Sequence, residues 1–347
     1  MSYTISVLPS GHSFTVEPGE SILDAALRQG FAFSYGCRSG FCGDCKSKVV
    51  KGEVAYPDGT PPGLSEAEAL TGMALLCQAH AHSDITLEAR EVNAADEIPV
   101  RNLPVKVARK ERLSHDVMRI YLKLPEGERL QFLAGQYIDF VLKDGRHRAF
   151  SMANPPHDDA FIELHIRHVE GGEFTDYVFN QLEEKTVLRV EGPHGSFHLR
   201  EDSDRPIILM AGGTGFAPIK GIIEHAVAEG IKRPMHLYWG VRAKEDLYLN
   251  ELAEQWVATV PGFRYTPVLS QPNAADQWQG ETGYVHEVIA RDYPDLSGHE
   301  IYTAGPPVMV EAGLGVFTAQ GLPQESYYSD AFNLAMDAKK KEAGSAV

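Results

Sequence analysis

Four cysteines carry the most specific chemistry in this 347-residue chain: Cys37, Cys42, Cys45 and Cys77. Three of them crowd into nine residues and the fourth stands 32 residues further on, giving the spacing C-x4-C-x2-C…C. Two disulfides are one reading, but the N-terminal MSYTI lacks the basic and apolar regions of a secretion signal, which argues against them. A structural zinc site is another, although zinc usually takes two separated pairs of ligands. The spacing matches that of a [2Fe–2S] centre, in which thiolates hold both irons. Gly36, Gly40 and Gly43 suit this reading, because glycine lets the chain wrap tightly and leaves backbone N–H groups free to face the cluster sulfurs. Such donors stabilise the negative charge of the cluster. His80 and His82, close to Cys77, invite a centre with two histidine ligands, but four cysteines already complete the set, so both are expected to be surface residues.

Two other stretches have the composition of ligand sites. Arg148-Ala149-Phe150-Ser151 places a cation, an aromatic ring and a hydroxyl in four extended residues, able to grip a phosphate, stack on a flat ring and hydrogen-bond its edge. About twenty residues later Gly171-Gly172-Glu173-Phe174-Thr175 opens a helix-like segment whose first amides suit a pyrophosphate. The second stretch is Ala211-Gly-Gly-Thr-Gly-Phe-Ala-Pro218, a glycine turn between the buried strand Ile207–Met210 and an amphipathic helix with Ile219, Ile222, Ile223, Ala226 and Val227 on one stripe. Strand, glycine turn and helix form a phosphate-cradling unit, although the turn is not G-x-G-x-x-G. Ala304-Gly305-Pro306-Pro307 ends a later strand, where ligands bind in open α/β sheets.

The elements that must position these residues fall into three groups. Residues 1–92 read as a strand pair (Thr4–Leu8, His12–Val16), a helix over Ser21–Arg28, and a helix start at Ser65 with Glu68 before the fourth cysteine. Residues 93–103 read as a polar linker broken by Pro99. Residues 104–203 contain short alternating strands, among them Val117–Lys123, Gln136–Leu142 and Phe161–Val169, which predict a small antiparallel barrel. Residues 204–335 alternate strands (Met235–Gly240, Tyr265–Leu269, Glu300–Ala304) with helices, and 336–347 read as a solvated tail.

The stretch GCRSGFCGDC with LLCQAH resembles the plant-type ferredoxin family, which implies a β-grasp fold for residues 1–92. Arg148-Ala-Phe-Ser151 with its glycine turn resembles the ferredoxin–NADP reductase superfamily, whose motif is Arg-x-Tyr-Ser, and Gly-Gly-Thr-Gly-x-x-Pro with Gly-Pro-Pro resembles its nucleotide domain. The resemblance implies that Arg148 holds a flavin diphosphate, Phe150 packs on the isoalloxazine and Ser151 approaches its reactive N5. Gly172 and Thr175 would line the diphosphate turn. Gly213, Thr214 and Gly215 would meet the nucleotide pyrophosphate, and Gly305 and Pro306 would lie beside the nicotinamide. The terminal YYSDAF resembles the segment whose aromatic, here Phe332, covers the flavin. Phe150 departs from the family tyrosine and lacks its hydroxyl. FAD is expected over FMN, since the glycine turn leads into a helix start able to meet a second phosphate. Glu245 and Asp246 favour NADH over NADPH by repelling a 2′-phosphate, while Arg242 and Lys244 pull the other way.

The expected architecture is multidomain α+β: a β-grasp [2Fe–2S] module, an antiparallel FAD barrel and an α/β half-Rossmann NAD module. This order resembles the NADH-dependent reductase components of oxygenases and of CDP-6-deoxy-hexulose dehydrase. It implies a hydride from NADH, a flavin that splits it into single electrons, a cluster that relays them, and a separate acceptor protein, since the chain has no substrate-transforming module. With 32 basic and 48 acidic residues the chain carries −16, which disfavours nucleic acid and predicts a basic docking patch on the acceptor. No apolar run approaches the roughly 20 residues of a membrane span, and a cytoplasmic protein is expected. The rival reading is an electron-transfer or redox-sensing subunit of a permanent complex, without NADH turnover of its own.

Overall fold

The computed structural model describes residues 2–29, 31, 33, 40, 45–61, 63–89 and 98–332. Cys37, Cys42, Gly36, Gly43, residues 93–97 of the expected linker and the expected tail lie outside the described residues.

The N-terminal part contains strands β1 (Tyr3–Leu8), β2 (Ser13–Val16), β3 (Lys46–Lys51), β4 (Val54–Ala55), β5 (Met73–Leu75), β6 (His80–Ala81) and β7 (Ile85–Glu88), with helices α1 (Ile22–Arg28) and α2 (Glu66–Leu70). The main sheet has the order β2-β1-β7-β3-β5 and is mixed: β1 runs antiparallel to β2 and parallel to β7. Strict alternation sets its faces, with Ile5, Val7, Phe14 and Val16 buried. They pack with Ile22, Leu23, Ala25, Ala26 and Leu27 of α1 in one core. The first helical amides of α1 are satisfied from outside the helix: Ile22 N donates to Ala79 O and Leu23 N to Leu76 O, each at 2.9 Å, which ties the helix to the segment carrying Cys77. Ser21 caps α1, its Oγ accepting from Asp24 N at 3.1 Å and donating to the Asp24 carboxylate at 2.7 Å. Ser21→Ala is expected to lower stability by about 1 kcal/mol; an unchanged denaturation midpoint would show the cap to be idle.

The second sheet is formed by β8 (Arg101–Arg112), β9 (Val117–Lys123), β10 (Tyr137–Val141), β11 (His147–Ser151), β12 (Ile162–Arg167) and β13 (Val187–His194), in the order β11-β10-β13-β8-β9-β12. All neighbours are antiparallel, and a bridge between Met152 and Leu164 joins the two ends into a barrel. Helix α3 (Glu173–Asn180) adds Phe174 and Val178 to the barrel core. The linker expectation runs three residues too far: Arg101, Asn102 and Leu103 pair with Gly192, Glu191 and Val190, because the barrel needs a long central strand there.

The third sheet is wholly parallel, with the order β17-β16-β15-β14-β18-β19 for β14 (Ile207–Gly212), β15 (Met235–Val241), β16 (Phe263–Leu269), β17 (Glu281–Thr282), β18 (Glu300–Gly305) and β19 (Tyr327–Ala331). Helices α4 (Phe216–Ala228), α5 (Asn250–Thr259), α6 (Val285–Asp292) and α7 (Pro307–Ala319) complete it. Every residue of β14 and β18 is buried, as central strands covered on both faces require. Strand order reverses between β14 and β18, and this switch point opens a crevice at their carboxyl ends.

Candidate functional site

Cys45 and Cys77 are both buried, 4% and 6% exposed, and sit in the core that holds α1. Leu76 N donates to Cys45 O at 3.3 Å, which joins the two cysteine segments through the backbone. Burial raises the Tyr56 hydroxyl above its usual range, against the lowering effect of its hydrogen bond with Leu75 N, and the charges of Cys45 and Cys77 add to the rise. Gly40 has φ +79°, and a side chain there would start 2.6 Å from Pro61 Cβ, so this position calls for glycine.

At the end of β11, Ser151 Oγ donates to Asp330 Oδ2 at 2.9 Å across 179 residues of chain. Burial pushes the Asp330 carboxyl up to about 6, against the lowering effect of the Ser151 hydrogen bond. Phe150 lies two residues from Arg148 on the alternation and packs on Phe140 and Phe174, with centroids 5.8 and 5.7 Å away. Arg148 is half-buried, with Nη1 donating to His147 O at 2.9 Å. The start of α3 is drawn to this strand by the Phe150–Phe174 contact and by Arg146, whose Nη2 meets Glu173 Oε2 at 2.7 Å. In the turn before α3, Thr175 Oγ1 accepts from Val169 N at 3.1 Å and lies within hydrogen-bond reach of Val169 O and Gly172 O. The threonine hydroxyl therefore shapes the turn, and a side chain on Gly172 would collide with it at 2.8 Å.

The two nucleotide turns interlock. A side chain on Gly215 would start 1.9 Å from Ala304 O, and one on Gly212 would start 2.6 Å from Met309 Sδ and 2.9 Å from Pro306 Cδ. Gly213, at φ +54°, accepts on its carbonyl from Trp239 Nε1 at 2.9 Å, and Trp239 stacks on Phe216 with centroids 4.0 Å apart. Thr214 is half-buried in the same turn. Arg167, at the end of barrel strand β12, brings Nη1 to 3.5 Å from where a Gly213 side chain would begin. Asp330 is paired with Ala304, Ala331 with Gly305, and Phe332 N donates to Gly305 O at 2.9 Å. Ser151, Asp330, Phe332 and Gly305 are thus drawn to one edge of the crevice.

A buried charged network holds the two modules together. Lys220 on α4 donates to Ala153 O at 3.1 Å, Glu163 Oε2 at 3.2 Å and Glu224 Oε2 at 2.8 Å. His165 links Glu163 Oε1 at 2.9 Å to Tyr248 Oη at 3.1 Å. Burial alone would raise Glu163, but the His165 hydrogen bond and the Lys220 charge outweigh it and take it to about 2. Gly221 adds close contact, since a side chain there would start 3.2 Å from Asn154 O.

Three family models match the chain in succession: a 2Fe-2S iron-sulfur cluster binding domain over residues 5–82, an oxidoreductase FAD-binding domain over 104–199, and an oxidoreductase NAD-binding domain over 209–313. A CDP-6-deoxy-L-threo-D-glycero-4-hexulose-3-dehydrase reductase from Yersinia pestis is 38% identical over 96% of this chain and 99% of its own length. The chain belongs to the iron–sulfur flavoprotein reductases. The phenol 2-monooxygenase reductase component DmpP of Pseudomonas sp. (strain CF600) is 34% identical over all of this chain and 99% of its own. The crystal structure of the Amycolatopsis cytochrome P450 reductase GcoB superposes with a TM-score of 0.64 at 35% identity, covering 95% of this chain and 98% of that one.

As a member of this family the chain is an NAD(P)H-dependent oxidoreductase that uses a [2Fe–2S] cluster and FAD and passes electrons to a separate protein. Its residues fit those groups: buried thiols beside a loop only glycine can follow, a glycine turn opening α3, and a second glycine turn at the sheet's switch point. Several participants had escaped sequence reasoning. Asp330 had been read only as part of an aromatic terminal strand, and no local pattern marks its pairing with Ser151. Arg167 and Lys220 likewise act across modules, and Trp239 reaches the Gly213 turn from the neighbouring strand. Asp246, expected with Glu245 to disfavour a 2′-phosphate, also caps its own turn, with Oδ2 accepting from Ala243 N at 3.0 Å. That leaves Glu245 exposed beside Arg242 and Lys244. Among the described residues no helix is long and apolar enough to cross a membrane.

Proposed function

We propose that this chain takes a hydride from NADH at the crevice between β14 and β18 and delivers single electrons through a cluster on Cys37, Cys42, Cys45 and Cys77 to an oxygenase or dehydrase component in the cytoplasm. The Ser151–Asp330 hydrogen bond carries this reading, since it joins the flavin-bearing strand to the nucleotide sheet at its switch point. FAD supplies the conversion between a two-electron hydride and one-electron transfer, which a [2Fe–2S] cluster alone cannot perform.

In this reading the chain's own residues bind and orient. Arg148 and the amides after Gly172 hold the FAD diphosphate, and Thr175 keeps that turn in shape. Phe150 supports the ring from the barrel side, and Phe332 covers it from the nucleotide side. Ser151 presents a hydroxyl at the reacting edge. Gly213, Thr214 and Gly215 let the NADH diphosphate approach the backbone, with Arg167 supplying positive charge. Gly305 and Pro306 border the nicotinamide.

The isolated chain is expected to reduce cytochrome c steadily with NADH, with a higher kcat/KM than with NADPH; no turnover with either would make it a passive subunit. Arg167→Gln should raise the KM for NADH about tenfold, equivalent to ~1.4 kcal/mol, with flavin content unaffected. An unchanged KM would remove Arg167 from the nucleotide site. With −16 on this chain, transfer to the acceptor protein should slow as salt rises past about 0.1 M and the Debye length falls below ~10 Å. A rate flat across ionic strength would exclude electrostatic docking.

A further inference from the structure

At the far end of α4, two imidazoles and a carboxyl group meet outside the redox sites. The Glu229 side chain, just past the helix, is 2% exposed, and neither carboxyl oxygen has a hydrogen-bond partner. One turn earlier, His225 is 9% exposed; its Nε2 hydrogen-bonds Glu201 Oε1 at 2.9 Å. Its buried Nδ1 has no hydrogen-bond partner and lies 3.8 Å from Glu229 Oε1. His157, from the loop that follows β11, faces the His225 ring with centroids 6.4 Å apart and also buries an Nδ1 without a partner. One ligand-capable atom from each residue lies within 4.8 Å of the other two.

Buried polar atoms are nearly always satisfied, so four orphans in one cluster call for a common partner. All the atoms concerned offer lone pairs. Glu201, by accepting from His225 Nε2, fixes the tautomer whose Nδ1 lone pair points inward, the arrangement in which a carboxylate orients a metal-bound imidazole. At 3.8 Å His225 and Glu229 are too far apart to share a proton. Burial, and then the Glu201 charge, push the Glu229 carboxyl up to about 9, against the lowering effect of the Arg28 charge.

We propose that His157, His225 and Glu229 bind a zinc-class divalent cation, with a fourth position left for water. Imidazole ligands select such an ion over calcium or magnesium. Tetrahedral bonds of about 2.0–2.2 Å bring ligand atoms to roughly 3.4 Å of one another, which small side-chain rotations achieve from the present spacing. The ion would tie the loop after Ser151 to the helix that begins at the Gly213–Gly215 turn, and so fix the flavin module against the nucleotide module. This inference does not depend on the direction or partner of electron transfer.

The test uses the full-length protein with flavin and iron in place, equilibrated with Zn²⁺ alone and assayed by elemental analysis, binding isotherm and zinc-edge X-ray absorption. One zinc per chain is expected, with nitrogen and oxygen neighbours at about 2.0–2.2 Å and no sulfur near 2.3 Å. Glu229→Gln and His225→Ala should each weaken binding more than about tenfold, and Glu201→Gln by about 10–100-fold, with flavin and iron contents unchanged. Absence of zinc binding, sulfur neighbours from the cysteine site, or equal affinity in wild type and Glu229→Gln would overturn the proposal. Should a variant fail to fold, the wild-type absorption spectrum decides alone.

Discussion

Cys77→Ala should abolish NADH-driven reduction of cytochrome c while leaving flavin bleaching by NADH nearly untouched. The cysteine is buried in the N-terminal core, and alanine offers no ligand in its place. Loss of a supporting residue around a metal typically costs 10–100-fold, so loss of a ligand sets a floor of ~100-fold on the one-electron rate. Cys77 belongs to a different hydrophobic core from the barrel and nucleotide residues, and independent sites combine to within about twofold, which bounds the change in stopped-flow bleaching. The helix that supports the cysteine keeps its backbone anchors at Leu76 and Ala79. Cytochrome c reduction surviving in an iron-free variant would mean that electrons leave directly from the flavin.

Below pH 6, Ser151→Ala should slow flavin reduction about 100-fold, or ~2.7 kcal/mol in barrier, the scale of a lost hydrogen-bond donor at a reacting atom. Asp330 is expected to make the wild-type rate pH-dependent. Above its pKa of about 6 the ionised carboxylate accepts the Ser151 proton; below it the protonated carboxyl donates to Ser151 Oγ, and the serine proton is freed for the crevice. The rate should therefore rise as pH falls through 6. Asp330→Asn, with a permanent donor, should hold the acid-side rate at every pH. Tyr137 feels the Asp330 charge, and burial raises it further from neutrality, so it does not titrate in this window. The same shift has a stability consequence of fixed sign. Folding raises this carboxyl above its unfolded value of 3.8, so the folded chain holds the proton longer and stability falls as pH rises from about 4 to 6. A flat wild-type profile, or an inflection that persists in Asp330→Asn, would remove Asp330 from this role.

Legibility in the sequence followed the range of the interactions. Strands such as Val117–Lys123, with Val117, Met118, Ile120 and Leu122 buried, were read from alternation because one face meets the core. The Ser65–Glu68 capping box was visible because a cap spans three residues. The glycine turns were equally local, and the interlock of Gly215 with Ala304 explains why glycine is required there. Contacts between modules had no such signature. Ser151 and Asp330, Lys220 and Glu163, Arg167 and Gly213 each depend on how the barrel seats against the parallel sheet, which periodicity does not encode.

The central claim is the relay itself, and an anaerobic NADH titration of the purified chain, followed by absorbance and low-temperature electron paramagnetic resonance, tests it most directly. Flavin bleaching together with a rhombic signal from a reduced [2Fe–2S] centre is the predicted result. Flavin bleaching with a silent cluster, or no bleaching at all, would contradict it.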